Sequence, residues 1–128
     1  MWEIGTIDVE KYRKCSCKAI LTERVILTDN RYEHIVERRG IGFVERYFER
    51  FAEIISEPDY IFRDRNDATA LAAKRYTENG ESVIVVVRLA VEGDNPNYMN
   101  SIITVVKEGE RRFDQRLRNS TPIYIREE

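Results

Sequence analysis

The sequence predicts one α+β domain in which two N-terminal helices pack on an antiparallel sheet of roughly four strands, with a short helix late in the chain. Apolar residues recur at helical spacing up to residue 56, and from residue 60 onward short β-branched runs alternate with turn-forming residues. The chain has 128 residues, of which 42% are hydrophobic and 34% are charged. A chain of this length and composition can bury one core beneath a charged surface.

The first 24 residues carry the weakest pattern. Trp2–Val9 and Cys15–Leu21 are predicted either as two short strands or as an extension that lies over the core. We therefore expect residues 1–24 to form an extension or extra strands, and residues 25–128 to form the main domain. Cys15 and Cys17 are expected to be reduced thiols on one face of a strand, because cysteines so close in sequence are poorly placed to bridge each other.

Two helices are predicted after a brief strand at Val25–Leu27. Thr28 or Asp29 is the expected N-cap of the first helix, which extends over about Asn30–Arg39. The second helix is predicted over about Phe43–Ser56, where a wide apolar stripe faces the core and charged residues face solvent.

The second half of the chain is predicted to be mostly sheet. Asn79-Gly80 is a strong hairpin signal, and the β-branched run Val83–Leu89 is typical of a central strand that is covered on both faces. A short charged helix is expected over Glu110–Leu117. The predicted strands are Tyr60–Arg63, Thr69–Thr77, Ser82–Val91, Asn100–Lys107 and Ile123–Ile125.

Charge and hydropathy limit the classes of partner. The net charge of −2 reflects 21 basic and 23 acidic residues, so any nucleic acid has to bind at a local basic patch. No apolar run approaches the ~18 residues of a membrane helix, and no signal peptide is predicted at the start. We therefore expect a cytoplasmic protein with no membrane partner.

Five short motifs, in order, resemble a known family. They are the segments Val25–Asp29 (VILTD), Glu33–Ile35 with Arg38 four residues after the His, Ile55–Ile61 (ISEPDYI), Asn100–Thr104 (NSIIT) and Ile123-Tyr124. This series, which spans most of the chain, resembles the phage-associated branch of the barnase/EndoU/colicin/RelE-like nuclease superfamily. The resemblance differs at one point: the family pattern usually continues from Arg38 with a second His and often a Pro, where this chain has Arg39 and Gly40.

The resemblance implies N-terminal helices on a four-stranded antiparallel sheet, and RNA cleavage without a metal or other cofactor. In such cleavage the 2′-hydroxyl attacks the phosphate, so the site needs a base, an acid and cations that stabilise the phosphorane. Members of the wider superfamily are mostly toxins, which makes RNA the expected ligand and an immunity or antitoxin protein a possible partner.

The candidate site residues follow from this chemistry. His34 is the only side chain whose ordinary pKa lies near neutrality, and Arg38 one helical turn later could hold phosphate. Arg88 lies in the most apolar strand, on the predicted face of Ile84 and Val86, where its charge requires either a bound phosphate or a carboxylate partner. The residues predicted as catalytic are His34, Arg38, Arg88, Ser101 and Thr104. The residues predicted to bind substrate are Arg39, Lys74, Asn100, Lys107, Arg112 and Tyr124.

Three functions remain open on the sequence. The first is a metal-independent ribonuclease of a bacterial phage or mobile element, with a role as a toxin left open. The second is a binding module of the same fold, for RNA or protein, in which Arg39 in place of the usual His has ended catalysis. The third is an accessory or structural phage protein. Arrangement of His34, Arg88 and the Asn100–Thr104 strand around one cleft would favour the first.

Overall fold

The structure is a computed structural model, and it describes residues 1–127. No helix within this part of the chain is both long enough and apolar enough to cross a lipid bilayer. The helices are α1 (Val9–Tyr12), α2 (Asp29–Arg39), α3 (Ile41–Tyr47), α4 (Phe51–Ser56) and α5 (Glu110–Asn119), with 3₁₀ turns at Arg13–Cys15 and Phe48–Arg50. The strands are β1 (Trp2–Thr6), β2 (Arg24–Leu27), β3 (Tyr60–Arg63), β4 (Thr69–Tyr76), β5 (Glu81–Arg88), β6 (Asn100–Gly109) and β7 (Tyr124–Ile125).

The strands form one mixed sheet in the order β1-β2-β6-β5-β4-β3-β7. The α+β class is confirmed, but the predicted sheet of roughly four antiparallel strands is wrong. The sheet has seven strands, and β2 runs parallel to β6 through Val25 opposite Asn100 and Ile26 opposite Ser101. The sequence does not show which distant strands pair. The residue pattern of a strand indicates which of its faces is buried, but not which other strand lies beside it.

The central position of β5 is confirmed, since it pairs along its length with both β4 and β6. It ends at Arg88, three residues before the predicted end. The N–H of Leu89 donates to the carbonyl of Ala68 at 2.7 Å, and the N–H of Ala90 donates to Oδ1 of Asn100 at 2.8 Å. The run beyond Arg88 therefore stays buried without continuing the ladder.

The first predicted helix is confirmed as α2, and Thr28 is its N-cap, with Oγ1 accepting from the N–H of Arg31 at 3.3 Å. The second predicted helix, Phe43–Ser56, is wrong as a single helix. The 3₁₀ turn at Phe48–Arg50 divides it into α3 and α4. The apolar stripe continues through this turn, so the sequence shows no break there.

The sheet separates two cores of unequal size. We call the face that carries Val85 and Val105 the first face, and α2, α3 and α4 contribute side chains to the large core upon it. The face that carries Ile84 and Val106 is the second face, where α5 contributes Phe113 to a smaller core. Since α5 is the one helix that contributes to the smaller core among the described residues, much of the second face has no helical cover.

The first 24 residues join the same sheet and core. β1 pairs with β2, and Tyr12 is fully buried, with its hydroxyl donating to the carbonyl of Ile55 at 2.6 Å. The alternative strand at Cys15–Leu21 is wrong, because this segment makes only one isolated bridge. The cysteines are both free thiols, but Cys15 is buried at the end of a 3₁₀ turn and Cys17 is exposed, so they do not share a strand.

Candidate functional site

Three of the residues predicted as catalytic lie together on the second face. Arg88 in β5 is directly opposite Ser101 in β6, and Val86 is opposite Thr104. Residues two apart in a strand point to the same face, so the side chains of Arg88, Ser101 and Thr104 are neighbours. Ser101 and Thr104 are three positions apart, so in a regular strand their side chains would point to opposite faces. The irregularity in the ladder beside Val87 brings both side chains to the same face.

His34 does not lie with these three residues. It is half-buried on α2, and α2 packs on the first face through the fully buried Ile35. The sheet therefore separates His34 from Arg88 and from the Asn100–Thr104 segment, and the structure does not bring them to one cleft.

Arg88 already has a carboxylate partner. Its two terminal nitrogens each lie 3.4 Å from a carboxylate oxygen of Asp94, and Nη1 also donates to the carbonyl of Leu89. The N–H of Val91 donates to Asp94 at 2.9 Å, and this bond, together with the charge of Arg88, lowers the pKa of Asp94. Of the two alternatives for Arg88, phosphate or carboxylate, the described residues supply the carboxylate.

Asn100 is fully buried and bonded to main chain on both sides. Its Oδ1 accepts from the N–H of Ala90, and its Nδ2 donates to the carbonyl of Thr22, each at 2.8 Å. These bonds tie β6 to the segment after β5 and to the segment before β2, so the side chain holds the sheet together.

Three further candidates lie on three different elements. Lys74 is only 9% exposed, and its ammonium donates to the carbonyl of Glu57 at 2.9 Å, just after α4. Tyr124 in β7 is half-buried against the large core. Arg112 lies on α5, 3.8 Å from the carboxylate of Glu108. Each of these residues has a structural contact of its own.

The C-terminal end of α2 brings two other candidates together. The helix ends at Arg39, where Gly40 takes a positive φ of 89° and turns the chain into α3. Nε of Arg39 donates to the carbonyl of Val105 in β6 at 2.8 Å. Lys107 is two residues further along β6 and points to the same face as Val105, so the side chains of Arg39 and Lys107 lie near each other.

Glu81 at the start of β5 connects Lys107 to α3. Its carboxylate accepts from the hydroxyl of Tyr47 at 2.5 Å, and it lies 3.4 Å from Nζ of Lys107 and 3.8 Å from Nη1 of Arg46. The bond from Tyr47 and the two cations lower the pKa of Glu81. Burial, and then the bond to Glu81, raise the pKa of Tyr47, whose hydroxyl also accepts from Nδ2 of Asn79 at 3.0 Å.

We call the four cations Arg38, Arg39, Arg46 and Lys107 the basic rim. Arg38 shares the helix end with Arg39, and the side chains of Arg46 and Lys107 are 60% and 47% exposed. Within residues 1–127, Glu81 is the one carboxylate that lies within 4 Å of a nitrogen of the rim. A chain with a net charge of −2 therefore carries a local positive excess here.

Arg46, Tyr47 and Glu81 were not among the predicted site residues. On a helical wheel Arg46 lies on the solvent-exposed face and Tyr47 lies in the apolar stripe, so neither position indicated a site. The sequence held one signal for Glu81. This residue directly follows the predicted Asn79-Gly80 turn, so a carboxylate was to be expected at the start of the next strand, β5.

No family model matches the chain, and no curated protein or solved structure matches it either. Among residues 1–127 there is also no group of three or more His, Cys, Asp or Glu side chains that could hold a metal ion. The function is therefore inferred from the geometry and charge of the basic rim.

Proposed function

We propose that the protein binds single-stranded RNA through the basic rim. The observation that carries the proposal is the charge balance of the rim: Arg46 and Lys107 share one carboxylate, Glu81, and among residues 1–127 no carboxylate lies within 4 Å of the other two cations. Uncompensated Arg and Lys side chains attract phosphate, and phosphate contacts supply most of the affinity of sequence-independent RNA binding.

The rim suits a flexible backbone better than the second face does. Arg39 is fixed by its bond to Val105, and its remaining guanidinium N–H groups are available to a phosphate. On the second face Arg24 and Arg88 are each paired with a carboxylate, those of Glu3 and Asp94. A phosphate there would have to compete with a bonded anion at both cations, whereas two rim cations, Arg38 and Arg39, have no carboxylate within 4 Å among residues 1–127.

The binding should depend strongly on salt because each contact between a rim cation and a phosphate releases counterions from the RNA. Each phosphate that a single strand contributes changes the logarithm of the binding constant by about −0.7 per decade of salt. Four rim contacts would give a slope near −3 by the same rule. Binding should therefore be measurable at low salt and weak at high salt.

A metal-independent ribonuclease is the second candidate. His34 lies one helical turn before Arg38, so an imidazole and a guanidinium share one side of α2. Cleavage would then use His34 with the rim, because Arg88, Ser101 and Thr104 are on the other side of the sheet. The product would carry a 2′,3′-cyclic end.

The binding test is fluorescence anisotropy with a short labelled oligouridine over a salt series. Arg46→Gln and Lys107→Gln should each weaken binding roughly threefold or more and reduce the salt slope by about 0.7. The matched control is Arg111→Gln, which removes an exposed cation of α5 outside the rim. Equal losses in all three variants, or no binding by the wild type at low salt, would contradict the proposal.

The cleavage test uses the same RNA with a chelator present. Appearance of 2′,3′-cyclic ends, lost in His34→Ala while binding persists, would assign His34 to catalysis. Binding without cleavage of any RNA would exclude the ribonuclease and support RNA binding as the function. Full cleavage by His34→Ala would remove His34 from the mechanism.

A further inference from the structure

Three aromatic side chains from different elements meet at one end of the sheet. Trp2 comes from β1, Tyr32 from α2 and Phe48 from the 3₁₀ turn after α3. The ring centroids of Trp2 and Tyr32 are 4.5 Å apart, and that of Phe48 lies 5.8 Å from Trp2 and 5.7 Å from Tyr32. Phe48 meets both other rings at steep angles, 73° and 86°, so the three rings form a corner and not a stack.

A cavity of about 270 Å³ opens beside this corner. The three rings line it together with Val44, Glu45 and Glu49. Trp2 is 37% exposed, although a ring of this size is ordinarily well buried. We call this cavity the aromatic pocket.

The two carboxylates of the aromatic pocket have no cationic partner. Glu45 and Glu49 are exposed and stand four residues apart, and within residues 1–127 no Lys, Arg or His nitrogen lies within 4 Å of either. Both line the same cavity, and like charges there repel each other. A ligand that enters this pocket therefore meets aromatic side chains and carboxylates that have no cationic partner.

We propose that the aromatic pocket binds an organic ammonium ion, of the trimethylammonium class. The face of an aromatic ring attracts a cation through its quadrupole, and a cage of rings is the usual site for quaternary ammonium groups. Glu45 and Glu49 add attraction for the same charge. Ca²⁺ and Mg²⁺ are poorer occupants, because they take six or more oxygen ligands and aromatic rings supply none.

The aromatic pocket is separate from the basic rim, although α3 contributes to both. Arg46 and Arg50 lie toward the β4–β5 hairpin, within 4 Å of Glu81 and Glu78 respectively, while Glu45 and Glu49 lie beside Trp2. Ammonium binding therefore does not depend on whether the rim binds RNA.

The test uses the intrinsic fluorescence of Trp2, the one tryptophan in the chain. Choline, which carries a trimethylammonium group, is compared with 3,3-dimethyl-1-butanol, a neutral molecule of the same shape. We expect a saturable change in Trp2 emission with choline and at least a tenfold weaker effect of the alcohol. Equal effects of both molecules, or no saturable change with choline, would overturn the proposal.

Carboxylate variants give a second readout that leaves the rings intact. The double variant Glu45→Gln/Glu49→Gln should weaken choline binding at least fivefold, whereas Glu37→Gln on α2, outside the pocket, should leave it unchanged. Both substitutions are at exposed positions, so thermal unfolding should be close to that of the wild type. Unchanged choline affinity in the double variant would overturn the proposal as well.

A third ligand identifies the source of the ammonium group. A peptide with a trimethylated lysine is titrated beside its unmodified form and beside choline. Tighter binding of the methylated peptide than of choline would assign the pocket to a modified protein. Tighter binding of choline would assign it to a small molecule.

Discussion

Replacement of Glu81 by Gln separates the stability of the basic rim from its affinity for RNA. The amide oxygen of Gln can still accept the hydroxyl of Tyr47, but the negative charge that Lys107 and Arg46 share is lost. We expect Glu81→Gln to lower the free energy of unfolding and, at the same time, to tighten RNA binding. A substitution at a residue with only a structural role is not expected to lower the free energy of unfolding and tighten RNA binding together.

The loss of stability can be estimated from the contacts. A hydrogen bond to a charged acceptor contributes about 1.5–3 kcal/mol and a neutral one about 0.5–1.5 kcal/mol, so the bond from Tyr47 weakens by about 1 kcal/mol. The ion pairs to Arg46 and Lys107 are half exposed and together contribute at most about 1 kcal/mol. The total expected loss is about 1–2 kcal/mol near neutral pH.

The gain in RNA affinity follows from the charge of the rim. One more uncompensated cation should steepen the salt dependence by about 0.7 and tighten binding roughly threefold at low salt. Urea unfolding followed by fluorescence measures the first quantity, and anisotropy over a salt series measures the second. Glu78→Gln is the matched control, because Glu78 lies in the same hairpin and, within residues 1–127, its one ion pair is to Arg50, outside the rim.

The pH dependence gives the same pair of proteins another test. The pKa of Glu81 is lowered in the fold, so its stabilisation is fully present above the ordinary carboxyl pKa and is lost as pH falls through the lowered value. The difference in unfolding free energy between wild type and Glu81→Gln should therefore shrink toward zero in strong acid. Unchanged or weaker RNA binding by Glu81→Gln, or a difference in stability that does not depend on pH, would refute the account of the rim.

Two further predictions concern the core. Asn100→Ala leaves the N–H of Ala90 and the carbonyl of Thr22 without their partner in the sheet, which should lower the free energy of unfolding by about 2–4 kcal/mol; a urea midpoint within error of the wild type would contradict this. Burial raises the pKa of Cys15 to about 12, and only the thiolate reacts, so the native protein should titrate one thiol, the exposed Cys17, with a disulfide reagent at mildly alkaline pH and two thiols in urea. Two fast thiols in the native protein would show that Cys15 is accessible.

Local patterns predicted the elements well and their assembly less well. β3, at Tyr60–Arg63, has its predicted bounds, and α2 differs by one residue, since alternation and helical spacing are properties of neighbouring residues. The parallel pairing of β2 with β6 could not be predicted, because it depends on which strand lies beside β2 in the folded sheet, and these two strands are far apart in the sequence. The 3₁₀ turn at Phe48–Arg50 lies inside a continuous apolar stripe, and Phe48 there packs against Trp2 and Tyr32, so its cause is tertiary.

Three of the four cations of the basic rim were predicted as site residues from the sequence, but Arg46 was missed and the grouping of the candidates was not predictable. Alternation placed Arg88 with Ile84 and Val86, and the register confirms that face. The same rule puts Ser101 and Thr104 on opposite faces, and only the irregularity in the ladder brings them together. Strand alternation does not indicate which face of the sheet α2 covers. The separation of His34 from Arg88 was therefore visible only in the structure.

Opposite charges on the two flanks of α3 explain how an acidic chain could hold both an anion and a cation. In α3 and the 3₁₀ turn after it, Arg46 and Arg50 lie toward the β4–β5 hairpin, and Glu45 and Glu49 line the aromatic pocket. Each arginine of the basic flank lies within 4 Å of one carboxylate of the β4–β5 hairpin, Glu81 or Glu78, although Lys107 also lies within 4 Å of Glu81. The acidic flank has no such partner among residues 1–127, so the repulsion between its carboxylates persists in the free protein. A bound ammonium ion would relieve that repulsion, and binding of a cation at the aromatic pocket would therefore stabilise the fold where the chain itself supplies no compensation.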